Sequence, residues 1–137
     1  MDALTDADRS MLLRELERAR HGFGLAGDFS GEATRTSPSC GDTVTVRVGE
    51  GGFTWEGHGC AVSMAAASAI GALSIHEFVR LEPLYLAAVD GDGELSGDLE
   101  PFAGIGRFPL RGRCATLAWR AARAAIDEHA GDAATTY

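Results

Sequence analysis

The stretch Gly57-His58-Gly59-Cys60-Ala61-Val62-Ser63-Met64-Ala65-Ala66-Ala67-Ser68-Ala69-Ile70 joins a strand to a helix. Ahead of it, Phe53-Thr54-Trp55-Glu56 is a run of β-favouring residues that stops at glycines. After Cys60 no Pro or Gly interrupts the alanine-rich run until Gly71, which predicts a helix from about Ala61 to Leu73. Cys60 therefore falls at a strand-to-helix junction. Backbone N–H groups in a first helical turn lack intrahelical partners and the helix dipole is positive there, so an anion is favoured. Cys60 is thus a candidate metal ligand or reactive thiol. The other reading is a small buried cysteine that packs as alanine would.

Upstream, Thr43-Val44-Thr45-Val46-Arg47-Val48 alternates strictly between valine and polar residues and predicts a half-buried strand. Gly49-Glu50-Gly51-Gly52 supplies the turn into Phe53–Glu56, and Gly31 to Thr36 predicts a shorter, weaker strand. Thr5-Asp6-Ala7-Asp8 has the form of a capping box, and Leu12, Leu13, Leu16 and Ala19 follow at helical spacing. These predict an N-terminal helix over about residues 6–20. Gly22, Gly24 and Gly27 then read as a loop.

Downstream, Ser74-Ile75-His76-Glu77 opens a second capped helix, interrupted near Pro83 and resumed as a short helix from Leu84 to Val89. Asp90-Gly91-Asp92-Gly93-Glu94 starts like a calcium loop. Leu95 stands where that loop needs glycine and Pro101 where it needs a bidentate Glu, so the segment reads as a solvated acidic turn. Asp98 to Ile105 predicts one or two helical turns, Phe108-Pro109-Leu110 an extended segment, and Cys114 to about His129 a helix with a broad apolar face. The tail after residue 131 is expected to fray. The fold class expected is α+β: a small three-stranded antiparallel sheet with helices packed on one side, in a single domain over residues 1–137.

The 45% hydrophobic content excludes a disordered chain, and 137 residues suffice for one core. A net charge of −8 argues against nucleic acid or an anionic membrane as partner. No apolar run has the length of a membrane span, and the acidic start Met1-Asp2-Ala3-Leu4-Thr5-Asp6 is unlike a signal peptide, so a cytoplasmic location is expected. Three cysteines, an odd number, suit a reducing compartment better than a disulfide framework.

The cysteines lie at turns or junctions: Cys40 in Ser37-Pro38-Ser39-Cys40-Gly41-Asp42, Cys60 as above, and Cys114 in Arg111-Gly112-Arg113-Cys114, at the expected start of the last helix. Asp42 is two residues beyond Cys40, and in extended chain side chains two apart point the same way. Three thiolates and one carboxylate make a four-coordinate donor set that zinc accepts. The alternative on spacing alone is three unrelated core cysteines, since no two share a CxxC motif. His58, two residues before Cys60, competes as a ligand. His21, His76 and His129 read as surface residues, Trp55 and Trp119 as core or half-exposed aromatics, and Met64 as helix packing.

Three motifs together identify the chain with a family. Cys40-Gly41-Asp42, then Gly57-x-Gly59-Cys60-Ala61-x-Ser63-x-Ala65-x-Ala67-Ser68, then Arg113-Cys114-Ala115-Thr116-Leu117-Ala118-Trp119 resemble, in the same order, the U-type iron–sulfur cluster assembly proteins, the NifU-like/IscU-like family. The resemblance runs from about Thr36 to Ile126 and is nearer to the SufU branch for two reasons. Cys60 and Cys114 stand 54 positions apart (114 − 60), longer than in the scaffold branch. Arg113 also occupies the place where the scaffold branch has a histidine before its third cysteine. One departure is Ser37-Pro38-Ser39 in place of the usual Asn-Pro before the first cysteine, so the turn must be held differently.

The resemblance implies zinc held by Cys40, Asp42, Cys60 and Cys114. It further implies persulfide sulfur accepted on Cys40 from a PLP-dependent cysteine desulfurase of the SufS type, for delivery to a downstream iron–sulfur scaffold or apo-acceptor. In that role the chain is a sulfurtransferase-type accessory to the desulfurase rather than a free-standing enzyme. Arg111 and Arg113 would offset the site's negative charge or steer an anionic persulfide; as residues alone, they read equally as solvated arginines. The rival functions are a scaffold that holds iron or a [2Fe–2S] cluster on the same ligands, and a structural zinc module that only binds partners.

Overall fold

The computed structural model describes residues 4–25, 27–38 and 41–135, with side chains as far as Glu128. Helix α1 (Asp6–Ala19) starts at Thr5, whose hydroxyl accepts the Asp8 N–H while the Asp8 carboxylate takes the Thr5 N–H. Strands β1 (Gly31–Thr36), β2 (Thr43–Gly49) and β3 (Gly52–His58) form an antiparallel meander in that order. The expected α+β class with a three-stranded sheet is the one observed.

The register follows from the alternation in β2. Val44, Val46 and Val48 are buried, and Phe53 and Trp55 on β3 lie on the same face as partners of Val48 and Val46. The other face carries cross-strand polar pairs: Glu32 with Arg47 at 2.5 Å, Thr34 with Thr45 at 2.7 Å, and Thr36 with Thr43 at 3.1 Å. A slip of one residue would exchange these faces, so the burial of three valines fixes the pairing. The stretch after α1, read from sequence only as a loop, runs along the free edge of β3. The Trp55 N–H donates to the Gly22 carbonyl, the Gly24 N–H to the Trp55 carbonyl, and the Trp55 indole to the His21 carbonyl.

Helices α2 (Ala61–Gly71), α3 (Ile75–Val89) and α4 (Pro109–Thr135) complete the layer with α1. Helix α4 lies across β1 and β2, α2 against β3, and α2 is flanked by α1 and α4. Two 3₁₀ turns, Gly97–Phe102 and Ile105–Arg107, occupy the segment expected to hold one or two helical turns. Arg9 of α1 donates to the Pro101 and Ala103 carbonyls at 2.7 and 2.9 Å, tying the first of these turns to the domain.

Two expectations differ from the structure. Pro83 does not interrupt α3, which runs unbroken from its Ser74–Glu77 capping box to Val89. Proline removes the hydrogen bond to the carbonyl four residues back. That carbonyl belongs to Val79, which like Pro83 is exposed, so water can take the lost partner's place. Phe108-Pro109-Leu110 is not a continuous extended segment. Phe108 is extended, but Pro109 is the first residue of α4, where its missing N–H has no partner to lose.

Gly71, the last residue of α2, is where the chain after α1 crosses. A Cβ there would overlap the His21 carbonyl. Alanine in place of glycine favours helix by about 1 kcal/mol, but overlap with backbone cannot be relieved by a rotamer change. Gly71→Ala is therefore expected to destabilise the domain by about 1–3 kcal/mol in urea unfolding. Gly51→Ala, with nothing within 4 Å of the added Cβ, should change stability by less than about 0.5 kcal/mol.

Candidate metal and thiol site

Three elements meet at the end of the sheet where β2 begins and β3 finishes. Asp42 immediately precedes β2, Cys60 is the N-cap of α2, and Cys114 is the sixth residue of α4. Each offers one donor atom, and the three donor atoms all lie within 4.8 Å of one another. Asp42 and Cys114 are buried, at 5% and 3% exposure, while Cys60 is exposed, so the group opens to solvent on the α2 side. Cys40 lies outside the described residues.

The carboxylate is the centre of this group. Asp42 Oδ2 accepts the Cys60 backbone N–H at 3.2 Å and the Ser63 hydroxyl at 2.7 Å, and Cys114 Sγ stands 3.6 Å from the same oxygen. Cys60 makes no side-chain cap to its own helix; its N–H donates to the carboxylate, and its sulfur is one of the three grouped donor atoms. Ser63 is fully buried one turn into α2; its oxygen also lies 3.6 Å from Cys60 Sγ and 3.5 Å from the Cys114 carbonyl. Ahead of Asp42 the chain closes on itself: the Ser37 N–H donates to the Asp42 carbonyl and the Gly41 N–H to the Ser37 carbonyl, both at 2.8 Å. These backbone bonds fix Ser37 and Gly41 relative to Asp42.

The donors fit a small tetrahedral ion. With metal–sulfur bonds of about 2.3 Å and metal–oxygen bonds of about 2.0–2.2 Å, neighbouring ligand atoms stand about 3.5–3.8 Å apart. The Cys114 sulfur-to-carboxylate distance of 3.6 Å meets that figure, and the other donor separations, none above 4.8 Å, exceed it by at most about 1 Å.

The structure brings together the expected Asp42, Cys60 and Cys114, but not every candidate. Cys114 does not start its helix: because α4 begins at Pro109, its thiol projects from the second turn and is held by packing rather than by a helix end. His58 ends β3, is exposed, and is not part of the donor group, and Asp90, Asp92 and Glu94 form no such group among the described residues. Arg111 is exposed with its guanidinium 5.1 Å from the Phe108 ring centre. Arg113 is exposed along a groove walled by Leu86, Val89, Asp90, Gly106 and Arg120. Ser63 was not singled out from sequence as a site residue. The signal available was its spacing of three from the N-cap Cys60, the place where a capping side chain meets its partner.

Behind the thiols, Tyr85 of α3 donates its hydroxyl to the Ala115 carbonyl at 2.7 Å and stacks on Trp119 at 4.0 Å. Complete burial pushes the phenol well above its ordinary range, so it remains a neutral donor. This contact fixes α4 beside Cys114.

The zinc-dependent sulfurtransferase SufU of Bacillus subtilis is 31% identical over 108 residues, covering 69% of this chain and 74% of that protein. The chain belongs to the U-type iron–sulfur cluster assembly family, on its SufU side. The iron–sulfur cluster assembly scaffold protein IscU of Streptococcus pyogenes is 33% identical over 107 residues, 69% of this chain and 67% of that one. A NifU-like protein (N-terminal) of Brucella abortus shares the fold, with a TM-score of 0.76 at 20% identity over 88% of this chain and 92% of that one. No family model matches the chain. Among the described residues, no helix is long and apolar enough to cross a membrane.

Gly59 leaves room for the family's carboxylate. A Cβ there would fall on the Asp42 carboxyl carbon and stand 2.7 Å from its Cβ. Gly59→Ala is therefore expected to push Asp42 out of the group and, in chelator-treated protein, to lower stability by about 1–3 kcal/mol. Thermal unfolding against wild type in the same chelator checks this.

Proposed function

We propose that this U-type protein is a zinc-dependent sulfur carrier for iron–sulfur cluster assembly, acting as one domain in the cytoplasm. It takes persulfide sulfur on Cys40 from a PLP-dependent cysteine desulfurase of the SufS type and passes it to a downstream scaffold or apo-acceptor. The observation that carries this reading is the convergence of Asp42, Cys60 and Cys114, with donor atoms within 4.8 Å of one another. Cys40, two residues before Asp42, is the fourth donor.

A bound zinc ion would keep the thiols deprotonated at neutral pH. Cys60, at the N-cap of α2, and Cys114, inside α4, are tied to helices and serve as fixed ligands, whereas Cys40 lies in the sequence between β1 and β2 and is the one suited to react. Its thiolate attacks the terminal sulfur of the desulfurase persulfide. The new S–S bond forms at Cys40, the old one breaks, and the desulfurase cysteine leaves as a thiolate, with no net oxidation. Arg111 and Arg113, exposed on the first turns of α4, supply positive charge that steers the anionic persulfide in a chain of net charge −8.

Protein purified without added metal should contain about one zinc per chain, with sulfur and oxygen but no imidazole nitrogen in its X-ray absorption shell. Histidine in that shell would replace the Cys₃Asp ligand set. Cys60→Ser and Cys114→Ser should each lower the melting temperature, because metal binding to the folded state alone adds to stability. Melting that ignores both substitutions and chelator would make the metal peripheral.

After incubation with desulfurase and cysteine, mass spectrometry should find one added sulfur on Cys40. Zinc-loaded protein should stimulate desulfurase turnover more than metal-free protein. If instead metal-free protein assembles a lasting [2Fe–2S] cluster and transfers it whole, and zinc abolishes that transfer, the chain is a scaffold and not a carrier.

A further inference from the structure

Helix α2 has two buried hydroxyls in a row of small apolar residues, Ser63 and Ser68. Ser68 accepts the His21 N–H at 3.1 Å and so anchors the chain after α1. Ser63 has no such architectural partner. Its polar surroundings are the Asp42 carboxylate, the Cys60 sulfur and the Cys114 carbonyl.

A serine hydroxyl has one proton to give. The 2.7 Å contact to Asp42 Oδ2 is the length of a charge-assisted bond, while the Cys114 carbonyl at 3.5 Å is too far to compete for it. The proton therefore lies on the bond to Asp42. With the Cys60 N–H at 3.2 Å, the oxygen that faces Cys114 Sγ has two donors fixed on the same helix end. On its other side the carboxylate rests against Gly59, so its orientation is determined from both sides.

We propose that Ser63 is a positioning residue for the metal site: its hydroxyl aims the Asp42 carboxylate at the ion and sets how tightly the site holds it. This rests on the zinc reading above. A carboxylate is the hardest donor in a set of thiolates and the one zinc holds least firmly. Its orientation therefore decides whether it ligates or gives way to water. Removing a partner that orients a ligand typically lowers metal affinity 10–100-fold.

Zinc affinity measured by competition with a chromogenic chelator tests the proposal, using wild type, Ser63→Ala, Asp42→Ala and the double variant. Ser63→Ala should bind zinc about 10–100-fold more weakly, with its cobalt(II) visible spectrum shifted in the direction that Asp42→Ala shifts it. In the Asp42→Ala background the same substitution should have no further effect, because Ser63 acts through that carboxylate. Wild-type affinity in Ser63→Ala, or an equal loss in both backgrounds, overturns the positioning role while leaving the metal site standing. Wild-type protein that binds no zinc, or whose affinity is indifferent to Asp42→Ala, overturns the Cys₃Asp reading and this inference with it. Alanine suits a buried helical position. If Ser63→Ala is partly unfolded in the assay, the four proteins are compared in trimethylamine N-oxide, which favours the folded state without replacing the missing hydroxyl.

Discussion

Helix α2 is enclosed on every side, and that enclosure constrains everything around it. Eight of its eleven residues are buried, and it is packed by α1, α4 and β3. A helix surrounded this closely favours small side chains, and six of its eight buried residues are alanine or serine, with Met64 and Ile70 the two larger ones. Ala65, Ala66 and Ala67 let α1 and α4 approach, and Gly71 lets the chain leaving α1 cross the helix end. Beside it lies an aromatic cluster in which Trp119 stacks on Phe78 and Tyr85, and Tyr85 tilts against Phe102.

The position of the site is a consequence of this packing. Because α2 follows β3 directly, its N-terminus is set at the end of the sheet, beside the entry to β2. Asp42 enters that junction as an acceptor for the Cys60 N–H and the Ser63 hydroxyl. Helix α4 crosses the sheet and brings Cys114 to the same point from an unrelated part of the chain. The carboxylate thus joins three elements, and its burial is tolerable because Oδ2 accepts two hydrogen bonds.

Much of this could be read from sequence where a short-range rule governs. The alternation of Val44, Val46 and Val48, the capping boxes at Thr5 and Ser74, and the glycine-flanked Cys60 each encode their element within a few residues. Errors arose where a local signal had two meanings. Proline stops a helix or begins one: Pro109 begins α4, and Pro83 is carried inside α3 because its face is wet. Mistaking the start of α4 put Cys114 at a helix end instead of in its second turn. Arg111 and Arg113 were read as flanking the thiols, and α4 holds both exposed on its first turns, Arg111 against the Phe108 ring and Arg113 along the groove beside Asp90. Ser63 escaped because its importance lies in contacts with Asp42 and Cys114, which are 21 and 51 positions away.

The stacking behind the site has an optical consequence. Trp119 lies five residues beyond Cys114 on the same helix, sandwiched between Phe78 at 4.9 Å and Tyr85 at 4.0 Å. Trp55 sits on β3 three residues before His58, with its indole bonded to the His21 carbonyl. Both indoles are shielded from water, so their emission belongs to the blue end of the tryptophan range. The molecule therefore carries two intrinsic fluorophores on the two elements that lead into its thiols. Light emitted by one reports on α4 and by the other on the sheet, without a label.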